Sequence, residues 1–299
     1  MFHAAGRAPE VLSILRPVRV LSAGNHHPLL CEMSSAEGAV GVWVVKPTIV
    51  LSRAGDRSTF GVLSEIAGAE VCSWAGLLTP RIGLTRFPQP LDTDGLLDGL
   101  TMLEKDERAE ILEAFRANQG HLAFCARYLG KAIDLRRKFL RLKRWRATAI
   151  PDAVALLVAD AYMRHDDRLD ENPNALWFSQ RIVALDHGSA FALMQRTGTS
   201  GDDLAARTAL HAPFGAHVAM ESVRKYGEEA HWDVVTARLE AVTQAQVTDL
   251  LSKCPPELDE DALCSQHELR SRMARFLGER GRHVRELVRV LRETVVRSA

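Results

Sequence analysis

The chain has 299 residues, 46% hydrophobic and 25% charged, with 38 basic side chains against 38 acidic ones. That mix excludes a chain disordered throughout, and zero net charge leaves no overall field to draw it onto nucleic acid or an anionic membrane. Only seven of the basic residues are lysines, against 31 arginines, so a lysine closing an apolar strand stands out.

Along the chain, β-formers predict strands over 11–22 and 29–34, and Ala36-Glu37-Gly38 supplies a turn before a third strand over 42–46. In that strand Val42, Val44 and Lys46 share one face, Trp43 and Val45 the other, and Pro47 ends it. Thr59 is placed as the N-cap of a helix reaching about Ala75, with Val62, Ile66, Ala69 and Ser73 along one stripe and Glu65 on its edge. Gly76 and Pro80 stop it. Residues 88–101, with two prolines, two glycines and three aspartates, read as a linker. Helical spacing then predicts helices over 102–120, 121–145 and 152–163. Residues 175–178 and 182–185, joined by Ser179-Gln180-Arg181, predict a hairpin, and four or five helices follow from about 202. The expected fold is α+β with two lobes: a β-rich one with a single helix over 1–90, and a larger helical one over 91–299. A cleft between lobes is the natural ligand site.

The five cysteines, Cys31, Cys72, Cys125, Cys254 and Cys264, are odd in number, widely spaced and form no Cys-x-x-Cys. They argue for reduced thiols in a cytoplasmic protein rather than a disulfide framework. The first twenty residues hold Arg7, Glu10, Arg16 and Arg19 and no apolar signal-peptide core, and the longest apolar run, 153–159, falls well short of the roughly 18 residues a membrane span needs.

The chemistry concentrates between the 152–163 helix and the hairpin, in Arg164-His165-Asp166-Asp167-Arg168-Leu169-Asp170-Glu171-Asn172-Pro173-Asn174. Pro173 disfavours a helical Asn172, so this segment reads as an ordered loop, and the hairpin runs on into Asp186-His187-Gly188. Phosphoryl transfer needs a lysine at the phosphates, oxygen ligands for a hard cation, and a carboxylate for the attacking hydroxyl. Protein kinases space the Asp and Asn of their catalytic loop five residues apart, with a metal-binding Asp one hairpin later. Asp167, Asn172 and Asp186 repeat that order, and Lys46 and Glu65 stand on a strand and the next helix.

On these strings, with Trp43-Val44-Val45-Lys46-Pro47, Leu77-Leu78-Thr79-Pro80 and Ala184-Leu185-Asp186-His187-Gly188-Ser189-Ala190-Phe191, the chain resembles the HipA-like kinase family, in particular its compact bacterial branch, over about residues 15–250. The resemblance implies a kinase that phosphorylates a hydroxyl of a protein or small molecule, with ATP and Mg2+ as cofactors. By it Lys46, held by Glu65, contacts the ATP phosphates together with Gly24 and Asn25, Asp167 is the catalytic carboxylate, and Asn172 and Asp186 hold Mg2+. The phosphate loop Ser22-Ala23-Gly24-Asn25-His26-His27 departs from the pattern, with one glycine and no G-x-G-x-x-G. A nucleotide-binding pseudokinase is the alternative on that ground, and a helical metal phosphohydrolase built on His165-Asp166 and His121 is another. The basic run 131–146 is the sole hint of nucleic acid; Leu135, Phe139, Leu142 and Trp145 recur in it at helical spacing, so it reads as the solvated face of an amphipathic helix, with the acidic 102–117 segment as a pairing partner.

Overall fold

A computed structural model describes residues 2–21, 28–48, 60–89, 105–191, 216–259 and 266–297. Strands β1 (Glu10–Val20), β2 (Leu29–Ser35) and β3 (Val40–Lys46) form an antiparallel meander, with Leu29 opposite Val45. Helix α1 (Phe60–Ala75) follows, then β4 (Ile82–Arg86), α2 (Lys105–Ala117) and β5 (Leu122–Arg127). β5 inserts between β3 and β4, and β4 runs parallel to β1 through Glu10–Gly83 and Val11–Leu84, so the sheet closes in the order β1-β2-β3-β5-β4. A Cβ on Gly83 would lie 2.9 Å from the Glu10 carbonyl oxygen, so closure needs glycine there. Strand alternation puts Leu29, Cys31, Met33, Trp43, Val45 and Cys125 into one buried cluster, with Phe87, Ile111 and Phe115 packed on it.

The helix expected over 121–145 does not form. Its first part is β5: Ala123-Phe124-Cys125 is too short an apolar run to announce its period, and partners on both sides claim it as strand. The β-structure thus extends past the boundary expected at residue 90. The rest breaks into β6 (Ile133–Asp134), α3 (Arg137–Arg141), an extended Leu142 and a 3-10 turn Lys143–Trp145. The basic residues therefore do not share one amphipathic helix. Among the described residues their ion pairs go to Asp134, Asp170 and Glu221, and the side chains of residues 104, 106, 107 and 110 of the acidic segment lie outside the description.

Helix α4 (Arg146–Met163) is buried without a break from Asp152 to Met163 and forms the axis of the helical part. Its Asp152 binds Arg181 (2.7 Å and 2.9 Å) and accepts from the Ile182 amide (3.0 Å), tying the helix to the hairpin. The hairpin comprises β7 (Ala175–Phe178) and β8 (Arg181–Ala184), and β6 adds a third strand beside β7. Its turn is one residue shorter than expected: Ser179 and Gln180 both take positive φ (48° and 64°), matching the twist of a two-residue connection. Five helices, α5 (Met220–Tyr226), α6 (Glu229–Glu240), α7 (Gln244–Ser252), α8 (Gln266–Arg282) and α9 (Val284–Arg297), complete the described chain. Together with α1, α4 and the hairpin they bury the larger hydrophobic cluster. Among the described residues no helix is long and apolar enough to cross a membrane.

Candidate functional site

Because Trp43 and Val45 turn into the barrel, Val44 and Lys46 face the other way, into a cavity of about 530 Å³ between the barrel and the hairpin. At its floor the Lys46 Nζ lies 2.5 Å from Glu65 Oε1 and 2.8 Å from Asp186 Oδ1. Burial alone would lower the lysine pKa; the two carboxylates outweigh it and hold the ammonium above its ordinary value. The other Glu65 oxygen accepts from the His187 amide (2.8 Å). One carboxylate thus joins strand β3 to the turn after β8. α1 lies close enough for this because residue 68 is glycine: a Cβ there would sit 2.3 Å from His187 Cβ. Asp186 itself holds φ 56°, a left-handed conformation that costs a non-glycine residue on the order of 1 kcal/mol or more and persists where surrounding bonds over-determine it.

The loop starts at a helix stop. Arg164 turns left-handed (φ 58°), and the His165 amide reaches back to the Asp160 carbonyl (2.8 Å), closing α4 in the manner of a Schellman motif. Arg168, wholly buried, then turns inward. Its Nε pairs with Asp160 Oδ2 at 2.7 Å, and its terminal nitrogens donate to the carbonyls of Asn174 and Leu185 (3.0 Å to the latter) and contact His187 Nδ1 at 3.1 Å. Asp160 also takes His217 Nε2 at 2.9 Å, and His165 Nε2 lies 2.9 Å from the Asp186 carbonyl. Burial would raise the Asp160 pKa, but Arg168 and His217 outweigh it and hold the carboxyl below its ordinary value. Burial, reinforced by the Arg168 charge, pushes His165 down and His187 well down, so both rings are neutral near pH 7.

Asp167 points to the other side. Both its carboxylate oxygens accept from Asn172 Nδ2 (3.2 Å each), and Asn174 Nδ2 reaches its carbonyl at 2.7 Å and its Oδ2 at 3.1 Å. Asn172 and Asp186 both line the cavity; Asp167 does not, and touches it through Asn172. With the Asn172 nitrogen engaged, its amide oxygen is the group left for a cation. Among the described residues no group of three His, Cys, Asp or Glu is placed to hold a metal. Asn172 and Asp186 both line the cavity and offer it oxygens, the donor type a hard cation takes. His165, the histidine on which the metal-phosphohydrolase alternative rests, is buried with its Nε2 against the Asp186 carbonyl. Gly24 and Asn25 lie outside the described residues, as does Thr59.

Sequence reasoning assigned no role to Asp160, His217, Asn174 or Gly68. Asp160 had a signal: it is the one charged residue in 153–163, and a carboxylate within an apolar helical run implies a buried partner. His217 and Gly68 had none, because their partners arrive from distant segments, whereas Asn174 meets Asp167 within the same loop.

No family model matches the chain, that of the HipA-like kinases included, and no curated protein matches it. Among solved structures it is weakly similar to kinase-like proteins. One is a chain of the complex of Neurospora crassa PAN2 (WD40-CS1) with PAN3 (pseudokinase and C-term), at 10% identity and TM-score 0.30. The match covers 96% of this chain and 66% of that one, so the chain spans less than two thirds of that length. Another is the MAP kinase LmaMPK10 from Leishmania major, at 12% identity and TM-score 0.25, covering 96% of this chain and 84% of that one. At such TM-scores the likeness carries no functional argument.

Proposed function

We propose that the chain is a two-lobed, kinase-like phosphotransferase that binds ATP in the cleft between barrel and hairpin and phosphorylates a hydroxyl. The observation that carries this reading is Lys46, on the third strand, set between Glu65 of the next helix and Asp186 after the hairpin. A strand lysine paired to a helix glutamate, beside a metal-binding aspartate, is the arrangement protein kinases use to seat nucleotide phosphates. Mg2+, when bound, neutralises charge on the phosphates; Asn172 and Asp186 are the residues to hold it.

In this reading Lys46 takes the phosphates as a point charge, and Glu65 keeps it aimed. Asp167 accepts the hydrogen bond of the acceptor hydroxyl. As the acceptor oxygen bonds the γ-phosphorus, the bond to the bridging β–γ oxygen breaks, ADP leaves, and the hydroxyl proton passes to Asp167 and on to solvent. Isothermal titration with a non-hydrolysable ATP analogue, with and without Mg2+, tests it. Mg2+ is expected to tighten binding in the wild type and not in Asp186→Ala; no binding under either condition refutes the reading.

A further inference from the structure

The segment 131–146 carries eight positive residues against Asp134 alone, and the tertiary structure sets it beside the candidate site. β6 pairs with β7 through Ile133–Trp177 and Asp134–Leu176, so Ala132 and Asp134 line the cleft. The Arg137 amide donates to Asp170 Oδ1 at 3.4 Å, and its Nε lies 3.7 Å from the same oxygen, three residues beyond Asp167. From that anchor Arg136, Lys138, Arg141, Lys143 and Arg144 face solvent. Arg136 meets Asp134 at 3.7 Å and Arg141 meets Glu221; Lys138, Lys143 and Arg144 meet no carboxylate among the described residues.

Building on the phosphotransferase reading, we propose that this face receives an acidic segment of a protein acceptor, its carboxylates flanking the hydroxyl to be phosphorylated. Unneutralised cations beside a phosphoryl-transfer loop select acceptors by charge complementarity. The rings within the patch argue against single-stranded nucleic acid, which needs open aromatic faces for its bases. Here Arg144 Cζ lies 4.4 Å from the Trp145 centroid and Arg146 Cζ 3.8 Å from that of Tyr226. Phe139, Trp145 and Trp177 pack on one another at 5.1–6.0 Å between centroids. The ring faces are taken by the protein's own side chains.

The probe is a fluorescein-labelled peptide with one serine among glutamates and aspartates, titrated with the full chain by anisotropy. It is expected to bind, to weaken with added salt, and to bind Lys138→Gln/Lys143→Gln/Arg144→Gln roughly tenfold more weakly, the combined worth of three exposed ion pairs. The triple variant is expected to bind the ATP analogue like the wild type. Equal peptide affinity in wild type and variant overturns the proposal, and so does an oligonucleotide that binds through these residues when the peptide does not. Peptide binding through these residues without any ATP-analogue binding keeps the acidic docking face and overturns the phosphotransferase reading instead.

Discussion

The loop between α4 and β7 turns two unlike faces to its surroundings. On the inner one Arg168 and Asp160 are completely buried, paired at 2.7 Å, and flanked by His165, His187 and His217. On the outer one Asp167 and Asn172 meet at 3.2 Å at the surface, and Asn174 bonds Asp167 beside them. Adjacent residues, Asp167 and Arg168, belong to opposite faces. A carboxylate meant for chemistry must stay accessible, so its position is set by what its neighbours do underneath. The inner face is a scaffold of charge, and the outer one is the part it holds out.

That contrast is open to direct attack. The largest effect on stability is expected inside. Arg168→Ala leaves Asp160 buried without its strongest partner, a change that costs about 3–5 kcal/mol in comparable cases. Urea unfolding measures it, and a loss below about 1 kcal/mol would mean the pair is not part of the scaffold. Outside, Asp167→Ala is expected to leave the unfolding midpoint nearly unchanged while phosphoryl transfer falls about 100-fold or more. ATP-analogue binding should persist. Wild-type turnover in that variant would remove Asp167 from the chemistry.

A smaller effect follows from pH. His165 and His187 are held neutral, with folded pKa values below the ordinary 6.5. As pH falls from 6.5 toward those values the unfolded chain takes up protons that the folded one does not, so stability is full above 6.5 and is lost below it. Each ring contributes at most about 1.4 kcal/mol per pH unit in that window. Unfolding midpoints at pH 7.5, 6.5 and 5.5 are expected to be flat and then to fall; an unchanged midpoint at pH 5.5 would show the rings already charged in the fold. Asp160, depressed rather than raised, adds its own loss only below its ordinary 3.8.

The remaining contrast is between what is local and what is not. The strands at Leu29–Ser35 and Val40–Lys46, helix α1, the hairpin and its run into Asp186 were legible in the amino-acid sequence. Their periods are clean, and turns, prolines and glycines mark their ends. The order of Lys46, Glu65, Asp167, Asn172 and Asp186, and the kind of element each stands on, follow from the same local rules. Only tertiary structure decided that Leu122–Arg127 is a strand, since its short apolar run fits helix or strand until β3 and β4 take its hydrogen bonds. Only tertiary structure broke the basic run into β6, α3 and a 3-10 turn, because pairing with β7 overrode its helical spacing. The scaffold around Arg168 was decided in the same way. Asp160, His187 and His217 come from separate elements, and long-range charge pairs in a dry interior leave no periodic trace in the chain.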